Sequence, residues 1–213
     1  MLNLSLPELP LNVLCLGAHA DDIEIGSGGT LLQLAGRPGV RIRNVVGSAT
    51  SERQAEARDA AEAFAGTALD EVVFLDLPDG RFPAHWDAVK SALEEQARDF
   101  PADLVFAPRR QDAHQDHRTV AEIVTSVWRD HLVLRYEIPK WDPEPLDVNV
   151  LVALEEEIGP RKVELLSSVF PSQTSRDWWD QEYLLGRLRA RGVEARTRYA
   201  EAFSLERAVI SLA

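Results

Sequence analysis

Short apolar runs alternate with longer amphipathic stretches from Asn12 onward, and few architectures accept that order. Parallel strands joined by crossover helices produce it, so the chain is predicted to be an α/β sandwich. The strand candidates are Val13–Leu16, Ile42–Val46, Val72–Leu75, Leu104–Ala107 and Leu132–Tyr136, each short and bounded by Gly, Pro or charged residues. The first four are expected to be central. Between them Glu24–Ala35, Glu52–Ala65, Trp86–Ala97 and His117–Arg129 return apolar residues every three or four positions, as helices covering a sheet do. The proline-rich stretch Ile138–Pro145 reads as a loop on the substrate side. Helices near Pro160–Val169 and Trp178–Arg191 and a closing strand near Ala200–Ser204 make a small C-terminal annex.

A chain of 213 residues has room for one sizeable core, so one domain over 1–213 is expected, with 137–213 as loop and annex. The formal net charge of -12 repels a polyanion, which argues against nucleic acid as a partner. Cys15 is the single cysteine, so no intrachain disulfide can form, and its apolar neighbours Leu14 and Leu16 predict a buried thiol. There is no run of about 18 apolar residues and no basic start followed by an apolar stretch. The expectation is a cytoplasmic protein that does not enter a membrane.

Chemistry concentrates at two places. His19-Ala20-Asp21-Asp22-Ile23-Glu24 follows the first strand directly, at the carboxyl edge where open α/β sheets carry their sites. His19 and Asp22 are three residues apart, so one turn can aim an imidazole nitrogen and a carboxylate oxygen at one divalent cation, leaving Asp21 to handle protons. His114-Gln115-Asp116-His117 follows the fourth strand, which in a doubly wound sheet can lie beside the first. His117 then completes a His-Asp-His set with a position left for water, as a catalytic zinc requires.

Each cluster has a plainer reading. Two aspartates after a strand commonly mark a helix N-terminus, and an isolated His-x-x-His is commonly surface polarity. Two such clusters at strand ends, in a chain with five histidines, favour a site. Gly26-Ser27-Gly28-Gly29-Thr30 lacks the Gly-Lys-Ser/Thr ending of a phosphate loop and the glycine spacing of a dinucleotide fingerprint. Its glycines are expected to let the first helix approach the sheet closely.

His19 to Glu24, followed by Gly26-Ser27-Gly28-Gly29-Thr30-Leu31, resembles the His-Pro-Asp-Asp-Glu...Gly-Gly-Thr-Leu signature of the PIG-L/LmbE-like N-deacetylases. His114-Gln115-Asp116-His117-Arg118 is similar to that family's His-x-Asp-His motif. Arg53-x-x-Glu56, Leu77-Pro78-Asp79-Gly80 and Tyr199-Ala200-Glu201-Ala202-Phe203 also look familial. Two positions depart: Ala20 stands where proline is usual, and Ile23 where Glu is usual, with Glu24 one residue later.

The resemblance implies a Rossmann-like, mainly parallel doubly wound sheet and a zinc-dependent deacetylase, another divalent metal being an alternative. Its substrate would be a small N-acetylated molecule, above all an amino sugar or its conjugate. His19, Asp22 and His117 would hold the metal, which acidifies its water and polarises the acyl carbonyl. Asp21 would be the general base. His114 would steady the tetrahedral oxyanion or donate a proton, and Asp116 would orient one of the histidines.

Arg53 and Asp79 are candidates for substrate contacts, against an ion pair of Arg53 with Glu52 or Glu56 and a plain turn role for Asp79. Trp141, Trp178 and Trp179 offer a sugar-stacking wall, against the commoner role of tryptophan in packing. Exposed tryptophans in the annex also hint at a homo-oligomer. Arg187, Arg189 and Arg191 read as a solvated helix face. Two competing functions stay open: an amidase for a non-sugar N-acyl metabolite, and a Rossmann-like nucleotide-binding module without catalysis.

Overall fold

The computed structural model describes residues 3–7, 10–138, 140 and 147–209. The chain runs β1 (Leu11–His19), α1 (Asp22–Ala35), β2 (Val40–Ser48), α2 (Ser51–Ala65), β3 (Leu69–Phe74), α3 (Trp86–Asp99), β4 (Leu104–Pro108), α4 (Gln115–Val127) and β5 (Leu132–Tyr136). It continues with β6 (Val150–Leu154), α5 (Ile158–Val169), α6 (Gln181–Ala195) and β7 (Tyr199–Ser204).

The seven strands form one sheet in the order β3-β2-β1-β4-β5-β7-β6. The first five are parallel, and β7 pairs antiparallel with both β5 and β6. This is the expected Rossmann-like, mainly parallel α/β sheet. Winding runs outward from β1 through β2 to β3, then returns to lay β4 on the other side of β1. The order reverses between β1 and β4, and that crevice is where doubly wound sheets carry their sites.

Alternating side chains of one strand serve two cores, because successive Cβ atoms point to opposite faces. Val13 and Cys15 join one cluster with Leu31, Phe64, Leu166 and Leu188 of α1, α2, α5 and α6. Leu14 and Leu16 join the other with Val89, Leu93, Val120 and Ile123 of α3 and α4. This two-sided burial is why the central strands read as continuous apolar runs, and Cys15 is buried and unpaired as expected.

Three expectations need correction. The third strand is an edge strand, not a central one, because the return crossover places β4 beside β1 rather than beside β3. The annex contains an unforeseen strand, β6, at the opposite edge. The last helix starts at Gln181, with Asp180 accepting from Tyr183 N at 2.7 Å as its cap, so Trp178 and Trp179 precede it. Trp141 and most of the Ile138–Pro145 loop lie outside the described residues.

The glycines of α1 do bring it close to its neighbours. A Cβ on Gly26 would lie 2.3 Å from the Tyr136 ring, and one on Gly28 2.6 Å from Phe64. Midway along α1, Glu201 of β7 accepts from Gly29 N at 2.8 Å, Thr30 N at 2.7 Å and Thr30 Oγ1 at 2.6 Å. Lys162 of α5 donates to Glu201 Oε1 and to Ile25 O, each at 2.6 Å. Both charged residues are buried, so the pair pins α1 to the annex. Among the described residues no helix is long and apolar enough to cross a membrane.

Candidate functional site

β1 ends at His19, a two-residue turn follows, and Asp22 opens α1. The register sets His19 beside Ser48 of β2 on one side, while Cys15 pairs with Phe106 of β4 on the other. β4 ends at Pro108, and the loop after it delivers His114 and His117 to the same edge. His19 Nδ1 lies 3.1 Å from His117 Nε2 and 3.5 Å from Asp22 Oδ2, and His117 Nε2 lies 3.2 Å from Asp22 Oδ2. Ligand bonds of about 2.0–2.1 Å in a tetrahedral zinc site imply ligand-to-ligand edges of about 3.3–3.4 Å. The three atoms therefore have the spacing of one face of such a site, and Asp22 Oδ1, buried, has no hydrogen-bond partner. The two imidazoles and one carboxylate fit a divalent ion. Ring nitrogens of His19, His114 and His117 also lie within 4.8 Å of one another.

Asp21 occupies the N-cap position of α1 but makes no side-chain cap bond. Its Oδ2 accepts from Arg53 Nη2 at 2.8 Å instead, which sets aside the plain capping reading. Arg53 is braced in turn by Glu56 and by Ser172 Oγ at 3.0 Å, and its guanidinium lies over the Phe170 ring. Both readings of Arg53 thus meet in the structure: it pairs with Glu56 and also faces the site.

Asp116 answers the question of which histidine it holds. Its Oδ2 lies 3.4 Å from His19 Nε2, while the amides of Gly80 and Phe82 donate to its two oxygens at 2.7 and 3.0 Å. Asp79, its side chain 77% exposed, places Oδ1 3.1 Å from the same ring nitrogen. His114 caps α4, its Nδ1 accepting from Asp116 N at 3.2 Å. With Nδ1 an acceptor, the neutral ring carries its hydrogen on Nε2.

Sequence reasoning missed Asp112. This buried carboxylate lies 2.9 Å from His117 Nδ1 through Oδ2, and accepts from His114 N at 2.8 Å through Oδ1. The signal was present as an Asp five residues before His117 and two before His114, a spacing that reads as an ordinary Asx turn.

The charges follow from these contacts. Burial works against protonation of His19, but its contacts with Asp116 and Asp22 and the charges of Asp22 and Asp79 raise its pKa to about 10. Burial likewise opposes the charge on His117, yet Asp22 and Asp112 raise it to about 9. Those imidazoles hold the Asp22 carboxyl well below its ordinary range despite burial. Burial, then the Asp22 charge, pushes Asp21 up, and Arg53 pulls against them. Burial and the other two histidines lower His114, which favours its neutral form. Glu24, displaced by one residue from the motif, is buried against Asn44 and raised to about 8, chiefly by burial.

The remaining expectations divide. Trp179 is buried with its ring edge-on to Phe170, which is a packing role, and the half-buried Trp178 meets Trp179 edge-on with Lys140 Nζ 5.4 Å from its ring centre. The basic run on α6 is not a solvated face. Arg191 is buried and bonds Glu137 and Glu194, while Arg189 reaches the carbonyls of Thr197 and Arg198.

Sheet and cluster together define a doubly wound α/β protein with a group of His and Asp side chains that could hold a metal ion at its topological switch point. Residues 14–128, more than half of the chain, match the family described as PIG-L: GlcNAc-PI de-N-acetylase. The chain is 31% identical over 140 residues to the Escherichia coli (strain K12) protein named uncharacterized deacetylase YaiS, covering 60% of this chain and 74% of that one. The fold is similar to the N,N'-diacetylchitobiose deacetylase from Pyrococcus horikoshii, with TM-score 0.73 and 20% identity over 91% of this chain and 83% of that one. It is similar too to the conserved protein TT1542 from Thermus thermophilus, with TM-score 0.74 and 21% identity over 95% and 97% of the two chains. The chain belongs to the PIG-L de-N-acetylase family, and deacetylation is the hydrolytic activity class which that membership carries.

Proposed function

We propose that the protein is a divalent-metal-dependent N-deacetylase, with zinc as its ion, acting on a small N-acetylated amino sugar or its conjugate. The observation that carries the reading is the triangle of His19 Nδ1, Asp22 Oδ2 and His117 Nε2, with edges of 3.1, 3.2 and 3.5 Å. A divalent ion held by these three residues lowers the pKa of a water and polarises an acyl carbonyl.

The chain's own groups supply the rest. Asp21, raised by burial and by Asp22, has a proton affinity closer to neutral pH than a free carboxylate. It takes one proton of the attacking water and returns it to the nitrogen as the C–N bond breaks, so a neutral amine and acetic acid leave, and the acid loses its remaining proton to solvent. Arg53 holds Oδ2 of Asp21 and leaves Oδ1 for this transfer. His114 donates from Nε2 to the oxyanion that develops on the carbonyl oxygen. Asp79, exposed beside His19, accepts hydrogen bonds from sugar hydroxyls at the mouth of the site.

The choice of an amino sugar is supported by the family description and by the substrate in the name of the Pyrococcus horikoshii deacetylase. The test is metal content together with acetate release from a panel of N-acetylamino sugars, for the parent, Asp21→Ala and His117→Ala. Near-stoichiometric metal that is lost in His117→Ala, but kept in an inactive Asp21→Ala, is the expected result. No metal and no acetate under metal-replete conditions would overturn the reading.

A further inference from the structure

Asp112 belongs to neither histidine motif, yet it touches both histidines of the second one. Its side chain is 3% exposed, and its two oxygens do different things. Oδ1 accepts from the His114 amide at 2.8 Å, fixing the turn from which His114 projects. Oδ2 lies 2.9 Å from His117 Nδ1, an ion-pair contact, and both atoms are buried without a hydrogen bond to any group in the structure, so each is left to the other. The carbonyls of Asp112 and Ala113 are gripped by one guanidinium nitrogen of Arg118, at 2.7 and 2.6 Å, so the turn is braced from behind.

We infer that Asp112 is a positioning residue of the site: it holds the N–H of His117 on Nδ1, turns Nε2 toward His19 and Asp22, and aims His114 through the same carboxylate. The inference rests on the metal-site reading above. A neutral imidazole has one N–H, and of the two carboxylates facing this ring Asp112 is the nearer, at 2.9 Å against 3.2 Å for Asp22, so the N–H goes to Nδ1 and the lone pair to the other nitrogen. In this ring the other nitrogen is the one 3.2 Å from Asp22 Oδ2 and 3.1 Å from His19 Nδ1. The division of labour is then symmetrical, since Asp116 faces the outer nitrogen of His19 as Asp112 faces that of His117. Carboxylates in this place fix tautomer and ring orientation and raise ligand basicity.

Asp112→Asn separates the two tasks, because the amide oxygen can still accept from His114 N while the amide nitrogen cannot accept from His117 Nδ1. Zinc affinity is measured by competition with a chelator, and the His117 ring tautomer in the ion-free protein by 15N shifts at a pH above its titration. The expected result is an affinity loss of about 10–100-fold in a protein that still melts cooperatively, and movement of the N–H away from Nδ1. Asp112→Glu is expected to recover part of the affinity. If the Asn variant fails to fold, Asp112→Ser keeps a short acceptor for the His114 amide and serves in its place.

Unchanged affinity with an unchanged tautomer overturns the inference and leaves the metal reading intact. A parent protein that binds no zinc overturns the metal reading, and the tautomer measurement then decides the inference alone.

Discussion

Removing the ammonium of Lys162 is expected to destabilise the protein severely without touching the candidate site. Lys162→Met leaves Glu201 buried, still accepting from Gly29 N, Thr30 N and Thr30 Oγ1, but with no counter-charge, and it leaves Ile25 O without its donor. Removal of one partner from a buried ion pair costs about 3–5 kcal/mol. A cavity of about 30 Å³ lined by Ile25, Lys162 and Glu201 adjoins the pair. It has room for one water, which places the loss near the lower end of that range. For a chain of this length about 3 kcal/mol corresponds to a melting temperature lower by about 6–12 °C. Urea unfolding followed by circular dichroism gives the free energy, and a thermal scan gives the shift. The double variant Lys162→Met/Glu201→Gln removes the uncompensated charge and is expected to be more stable than Lys162→Met alone. A loss below about 1 kcal/mol, or a double variant no better than the single, would refute the claim that this pair pins α1 to the annex.

Asp21→Asn is expected to lower acetate release by at least about 100-fold while zinc content stays near that of the parent, checked by initial rates and elemental analysis. Gly26→Ala is expected to cost about 1–3 kcal/mol, because the new methyl would meet the Tyr136 ring at 2.3 Å, and denaturant midpoints would read it. The ion-free protein is expected to weaken as pH rises. His19 and His117 have folded pKa values of about 10 and about 9, above the ordinary 6.5, so their stabilisation is complete below pH 6.5 and is lost as pH rises through 9 and 10. Zinc binding displaces those protons, so its apparent affinity is expected to run the opposite way, rising with pH over the same window. Equal urea midpoints at pH 6 and pH 10 in chelator-treated protein would count against the first half, and pH-independent zinc affinity against the second.

The sheet was legible because β1 and β4 are apolar on both faces, and runs such as Val13–Leu16 have one main explanation in a chain that alternates strand and helix. The position of β3 was not legible, since Val72–Leu75 looks the same whether a second strand flanks it or solvent does. β6 escaped for a related reason. Its five residues, Val150–Leu154, form a short apolar run like those of the other strands, but they follow the proline-rich stretch rather than a helix, and their partner is β7, about fifty residues onward. In the site, His19, Asp21, Asp22, His114 and His117 could be named from type and spacing. Asp112 could not, because an aspartate two residues before a histidine is a common turn, and only the docking of α4 shows which ring its second oxygen reaches. The Asp21–Arg53 contact joins residues 32 apart and was hidden behind the local Arg53–Glu56 pair, which is also present.

The adjacency of β1 and β4 has a consequence for the order in which the molecule is made. His19 and Asp22 come from one short segment and need only β1 and α1 to approach each other. His117 lies 98 residues away, and it arrives only after two outward crossovers have been laid down and the chain has doubled back across the sheet. Contacts so distant in sequence form late, since the chain must close a long loop before they return any free energy. The triangle of His19, Asp22 and His117 is therefore a product of the completed sheet rather than a nucleus for it. An amino-terminal fragment ending before β4 holds two of the three proposed ligands and none of the geometry, so on the proposed metal reading tight ion uptake during refolding would mark the moment β4 docks.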